Sequence, residues 1–327
     1  MQPFRRLSLI LAVLTSCILP LVAQSNFIDD FDTSPTSGEW RVAGDAGLFE
    51  WNAVEKNLEV TWDSSRTNSY FYRSFGTEVM KRDDFNFSFD LKLHDIAIGT
   101  TPGKPFTFQF AIGLINLAEA TGTGFLRGTG MDSPNLVEFD YFPDSGFGAT
   151  ISPTIISSNM QFAYSFAGLE MTTNGWFHIA MTYTSSNQTL ATEMTLDGVP
   201  FGPIGGAVLA TNFTDFRVDA FAISSYSDAG QDPQFAGSIR AHGVIDNIRI
   251  TIPEPPVSDF TGSFVAGTWR TEFTGNSTWL YTLDRTQDFQ TWNPASPTIP
   301  GIDGPMSLSD TNPPPPRAFY RVRASNP

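Results

Sequence analysis

Period-two alternation of apolar and polar residues constrains this chain more than any other feature. The stretch FNFSFDLKLH, residues 85–94, puts Phe85, Phe87, Phe89, Leu91 and Leu93 on one face, and Asn86, Ser88, Asp90, Lys92 and His94 on the other. Successive side chains of a strand point to opposite faces, so this pattern specifies one buried and one wet face. FTFQFAIGL (106–114), WFHIAMTY (176–183), LATEMTLDG (190–198) and VIDNIRITI (244–252) repeat it, and FRVDAFAIS (216–224) is a more apolar version. Loops rich in Gly, Pro and Asn separate these runs. Many half-buried strands joined by turns predict an all-β fold, a two-sheet antiparallel sandwich.

The pattern breaks at Pro253-Glu254-Pro255-Pro256, where three prolines in four residues cannot continue a central strand. Residues 24–252 are therefore read as the sandwich, 253–257 as a stiff linker, and 258–327 as a small β module. The module has its own strands in TWLYTLDR (278–285), MSLSD (306–310) and AFYRVRA (318–324), and Trp269, Trp279 and Trp292 are expected to form its core.

Residues 1–23 have the layout of a secretory signal peptide: Arg5 and Arg6, a long apolar run, then Leu21-Val22-Ala23 before Gln24. Leu14-Thr15-Ser16-Cys17 also has the form of a lipoprotein signal, but the apolar run continues past Cys17, which favours plain secretion from a bacterium or display at its surface. No transmembrane segment is expected in the mature chain. Cys17 is the sole cysteine, so cleavage after Ala23 leaves a chain without disulfides that must rely on a sizeable core. The formal net charge of −15 becomes −17 once Arg5 and Arg6 are removed, and residues 257–327 carry only −1 of it. That sign excludes nucleic acid as a partner and leaves neutral glycans and divalent cations compatible.

Several motifs, taken in order, resemble the concanavalin A-like lectin and glucanase superfamily, especially its laminin-G-like bacterial members. They are Asp29-Asp30-Phe31-Asp32 with Gly38-Glu39-Trp40, Val137-Glu138-Phe139-Asp140-Tyr141, Gly175-Trp176-Phe177-His178, Leu196-Asp197-Gly198, and Gly243-Val244-Ile245-Asp246-Asn247-Ile248. The resemblance implies a jelly-roll sandwich with a concave face for glycans, its last strand packed beside its first. Residues 258–327 are similar to a small β module that ends many secreted bacterial proteins, which implies an accessory role.

Glu138 and Asp140 are the focus of the chemistry. Family-16 glycoside hydrolases place a nucleophilic Glu, an Asp and an acid/base Glu on one strand; here the second Glu position falls on Phe142 or Pro143. Without the proton donor, general-acid help of about 10²–10⁴ is lost. The stretch is also similar to the metal strand of legume lectins, with Glu138, Asp140 and Asp144 at ligand positions and Phe142 at the carbonyl position. Ala149 and Thr154 stand where a further Asp and a His belong, so a calcium site there lacks oxygens. Asp246 shares the alternation of Val244, Ile248, Ile250 and Ile252. It is expected either to join Asp29, Asp30 or Asp32 around a structural calcium, as the resemblance implies, or to accept backbone N–H bonds at a strand end.

The expected binding face joins Glu138, Asp140 and Phe142 to Trp176 and His178, since carboxylates accept hydroxyl hydrogen bonds and aromatic faces stack on sugar rings. The sequence thus predicts a secreted, non-catalytic carbohydrate-binding or adhesion protein whose partner is a polysaccharide or glycan. The alternatives are a divergent hydrolase or lyase that uses Glu138 and Asp140, and a purely structural surface module.

Overall fold

The computed structural model describes residues 24–35, 39–127 and 133–325; the expected leader, with Cys17, lies outside them, as does Gly38. Sixteen strands build the large unit: β1 Gln24–Asp29, β2 Trp40–Ala43, β3 Phe49–Asn52, β4 Asn57–Asp63, β5 Ser69–Met80, β6 Phe85–Ile98, β7 Phe110–Ile115, β8 Leu136–Phe142, β9 Thr150–Ile156, β10 Phe162–Tyr164, β11 Trp176–Thr184, β12 Thr189–Leu196, β13 Val199–Pro200, β14 Ala207–Val208, β15 Arg217–Ser225 and β16 Ile239–Pro253. One sheet runs β13-β12-β11-β6-β16-β4-β3, with β1 added on β16 and β14 on β12; the other runs β10-β9-β8-β7-β15-β5-β2. All of these pairings are antiparallel, and the architecture is a two-sheet jelly-roll sandwich.

The alternation read in the sequence makes the core. Phe85, Phe87, Phe89, Leu91 and Leu93 of β6 are buried beside Phe177, Ile179, Met181 and Tyr183 of β11, and face Phe110, Ile112, Val137, Phe139 and Phe221 of the other sheet. Each fully buried Phe or Leu contributes about 1.5–3 kcal/mol of transfer free energy.

Two expectations need correction. The strand expected over 106–114 begins only at Phe110, and Phe106 is 58% exposed. Residues 106–109 leave the antiparallel ladder because Phe106 bridges Gly237 in parallel; a Cβ at Gly237 would lie 1.9 Å from the Thr107 carbonyl oxygen, so only glycine permits the approach. In β16, the period is interrupted: the pairing with β6 shifts register between Asp246 and Arg249, and Asn247 takes φ +51°. Ala241 and Ile245 face the core before this bulge, and Ile248, Ile250 and Ile252 after it, so Asp246 points outward rather than toward the core side.

Residues 258–325 form two small sheets around a second core. β17 (Ser258–Val265), β18 (Thr268–Gly275) and β22 (Gly304–Asp310) pair in one; β19 (Leu280–Thr286) pairs β20 (Asn293–Pro294), β21 (Ile299–Pro300) and β23 (Phe319–Ser325) in the other. The core is Phe273, Tyr281, Leu283, Met306 and Leu308, with Trp269 and Trp279 packed at its margin. Trp292, expected inside, lies instead beneath the guanidinium of Arg321.

Candidate functional site

Alternation places Glu138 and Asp140 on the face of β8 opposite to core residues Val137, Phe139 and Tyr141. That face is covered. Glu138 is 0% and Asp140 1% exposed, so the expectation of two carboxylates on an open sugar-binding face is corrected. Their cross-strand neighbours are small: Gly113 and Thr154 flank Glu138, and Ala111 and Ser152 flank Asp140. The space above them is taken by Arg127. Its Nε donates to Glu138 Oε2 at 2.9 Å and its Nη2 to Asp140 Oδ2 at 2.6 Å, with the arginine itself buried.

The Tyr226 hydroxyl donates to the other Glu138 oxygen. Burial pushes the Tyr226 phenol well above its ordinary pKa and the Glu138 charge pushes it further, so it remains a donor across the physiological range. Phe125 stacks on Tyr226 at 5.9 Å, and Tyr70 meets both rings edge-on. Both carboxylates are thus held by the Arg127 guanidinium, and Glu138 also by the Tyr226 hydroxyl, away from solvent.

Trp176 and His178 do not share a face with these acids. They lie on β11, in the other sheet, and point away from the core, so the sandwich stands between the two groups. His178 Nδ1 is 2.7 Å from Asp90 Oδ1, Asn247 Nδ2 donates to Asp90 Oδ2 at 2.8 Å, and the Lys92 ammonium lies 5.8 Å from the Trp176 ring centroid. These are cross-strand contacts on a solvated sheet. Phe142 closes β8 half-buried, and exposed Asp144 follows in a turn, accepting the Gly146 amide at 3.0 Å.

The pairing of β1 with β16 brings Asp29 opposite Ile248, and so places Asp29 and Asp30 near Asp246. Desolvation raises the Asp246 pKa above its ordinary value; the Asn247 amide, at 2.7 Å, opposes that, and the charges of Asp90, Asp30 and Asp29 add to it. The carboxylates do not converge, however. Asp29 accepts the Phe31 amide and the Trp40 indole N–H, and Asp32 takes Lys56 Nζ at 2.7 Å. Among the described residues no three His, Cys, Asp or Glu side chains are grouped closely enough to share a cation, neither around Asp246 with Asp30 and Asp32 nor around Asp144. Asp246 accepts the Asn247 backbone N–H at 2.7 Å, at a bulge inside β16 and not at a strand end.

The most exposed aromatic stripe of the sandwich was not anticipated. β10 and the residues after it read Phe162-Ala163-Tyr164-Ser165-Phe166-Ala167, and the burial is inverted: Ala163 and Ala167 are inside, while Phe162, Tyr164 and Phe166 are 43%, 52% and 66% exposed. β10 is the edge strand of its sheet, with Tyr164 opposite Thr154 of β9. Ala167 and Ile151 exchange backbone hydrogen bonds at 2.9 Å, so the stripe stands on a fixed edge. The rings of Tyr164 and Phe166 lie 4.8 Å apart, tilted by 51°. The aromatic alternation was visible in the sequence; its direction was not.

No protein-family model and no curated protein sequence matches the chain. Solved structures do. A peanut lectin with a nine-residue peptide matches at 15% identity over 70% of this chain and 97% of its own, with a TM-score of 0.44. Lectin I from Ulex europaeus, in complex with the methyl glycoside of α-L-fucose, matches at 10% identity over 70% and 98%, also at 0.44. A Bacillus subtilis protein of unknown function with a galectin-like fold matches at 8% identity over 70% and 96%, at 0.40. The likeness is one of fold.

Proposed function

We propose that the protein is a secreted, non-catalytic carbohydrate-binding protein whose sandwich engages a polysaccharide along the aromatic edge formed by Phe162, Tyr164 and Phe166. The observation that carries this reading is the inverted burial of β10. Large rings left in water beside buried alanines forgo transfer free energy that the reverse orientation would gain, and such a patch marks a binding surface. The rings of Tyr164 and Phe166, 4.8 Å apart, form one continuous aromatic surface on which the apolar faces of sugars can stack. The engagement of Glu138 and Asp140 by Arg127 supports the absence of hydrolysis.

The test is retention of residues 24–327 on a panel of neutral polysaccharides, with released sugar measured in the same tubes. Retention without product is expected, weakened about fivefold or more in Y164A/F166A, the scale of losing an aromatic contact. Sugar release abolished by Glu138→Gln would overturn the non-catalytic reading. Retention indifferent to the two aromatic substitutions would overturn the site.

A further inference from the structure

The outer face of the C-terminal module carries a chemistry that the sandwich lacks. In β23 the odd-numbered residues Phe319, Arg321 and Arg323 turn away from the module core, while Tyr320, Val322 and Ala324 pack against it. Arg321 and Arg323 stand over one carboxylate, Asp284 of β19, which is buried. Arg321 reaches it with two long contacts, 3.4 and 3.3 Å; Arg323 makes a closer one at 2.9 Å. Both guanidiniums remain accessible, with side chains 48% and 42% exposed. A guanidinium has five N–H donors, and Arg321 and Arg323 each give two to Asp284, which leaves donors beyond that pairing.

Aromatic rings interleave with these cations. The Arg321 guanidinium carbon lies 4.3 Å from the Trp292 centroid, and that of Arg317 lies 6.0 Å from Phe319. Phe289, 60% exposed, rests 4.0 Å from Phe319. Asp288 accepts the Thr291 and Gln290 amides and the Thr286 hydroxyl on one oxygen, Oδ1, and these bonds hold its carboxyl below the ordinary range. Three arginines against Asp284 and Asp288 leave this face cationic, in a chain whose net charge is −15.

We propose that this face binds a carboxylated polysaccharide, one built from uronic acid residues. Arginine forks match planar carboxylates, as Asp284 already demonstrates, and the rings beside them fit the apolar faces of sugars. The acidic sandwich repels such a polymer, so the two units divide neutral from charged glycan between them. This site is independent of the edge on β10.

The test is affinity electrophoresis of residues 24–327 through gels containing polygalacturonate, with neutral dextran as control. Polygalacturonate, and not dextran, should retard the wild type at low salt. R317Q/R321Q should lose about tenfold in affinity, equivalent to roughly 1.4 kcal/mol, with Y164A/F166A unaffected. Arg323 is left in place to pair Asp284, and R317Q alone, which removes no ion pair described at that residue, guards against misfolding and should lose about threefold. Absence of retardation, unchanged retardation in R317Q/R321Q, or equally strong binding to single-stranded DNA or phosphatidylserine vesicles would each overturn the proposal.

Discussion

Two carboxylate–arginine clusters among the described residues contrast in build. In the sandwich one arginine, Arg127, lies between two acids, Glu138 and Asp140; in the module one acid, Asp284, lies beneath two arginines. The first cluster is sealed, with side chains 4%, 0% and 1% exposed, and the second leaves its guanidiniums half in water. The difference teaches what each can do. Buried charges must satisfy one another, because their removal from water costs several kcal/mol per ion, and in the sandwich cluster Arg127 meets both acids. Exposed guanidiniums keep donors free for a ligand.

Removing the central partner of each cluster sharpens the contrast. Arg127→Met should destabilise the fold most, by about 3–5 kcal/mol in urea unfolding, because it strips a buried guanidinium from two buried carboxylates. A loss under roughly 1 kcal/mol would mean that water reaches Glu138 and Asp140 after all. Asp284→Asn should cost less, about 1–2 kcal/mol, since Arg321 and Arg323 can turn to solvent. A cost equal to that of Arg127→Met would break the comparison.

Asp246 offers the smallest effect, with a sign fixed by its environment. Its pKa is raised on folding, so from the ordinary carboxylate range near 3.9 up to its raised value the native state binds more protons than the unfolded chain. Stability therefore falls as pH rises through that window, and the ionised group is a liability above it. Asp246→Asn should raise the Tm at neutral pH by about 1–2 °C, and calcium should leave the wild-type Tm unchanged. A calcium-dependent rise abolished by Asp246→Asn would show that the acids converge on a cation.

The sandwich was legible because alternation reports which residues share a face, and β6 follows it from Phe85 to Leu93 and β11 throughout. On β8 it also grouped Glu138 with Asp140 correctly, but a face is not a surface. What covers a sheet arrives from elsewhere in the chain, here Arg127, Phe125 and Tyr226, and no local period announces it. The stripe on β10 was hidden by the converse habit of reading the aromatic side of a strand as the inner one. At Asp246-Asn247 a signal did exist: an Asx pair inside an isoleucine run suits the left-handed residue of a bulge, and one extra residue reverses every side chain beyond it.

β16 has a consequence for how this chain comes into being. It is fifteen residues long, pairs with β4, β6 and β1, and in sequence is the last strand of the sandwich. Until residue 253 has left the ribosome, β1 has no partner strand and the central seam of its sheet is open. Folding of the large unit is thus deferred to the end of its own synthesis, and contacts spanning more than two hundred residues set its pace. With no cysteine in residues 24–327, no covalent bond holds the ends in waiting. A truncation just short of β16 would release a chain of exposed apolar strands, a substrate for chaperones and proteases rather than a smaller domain.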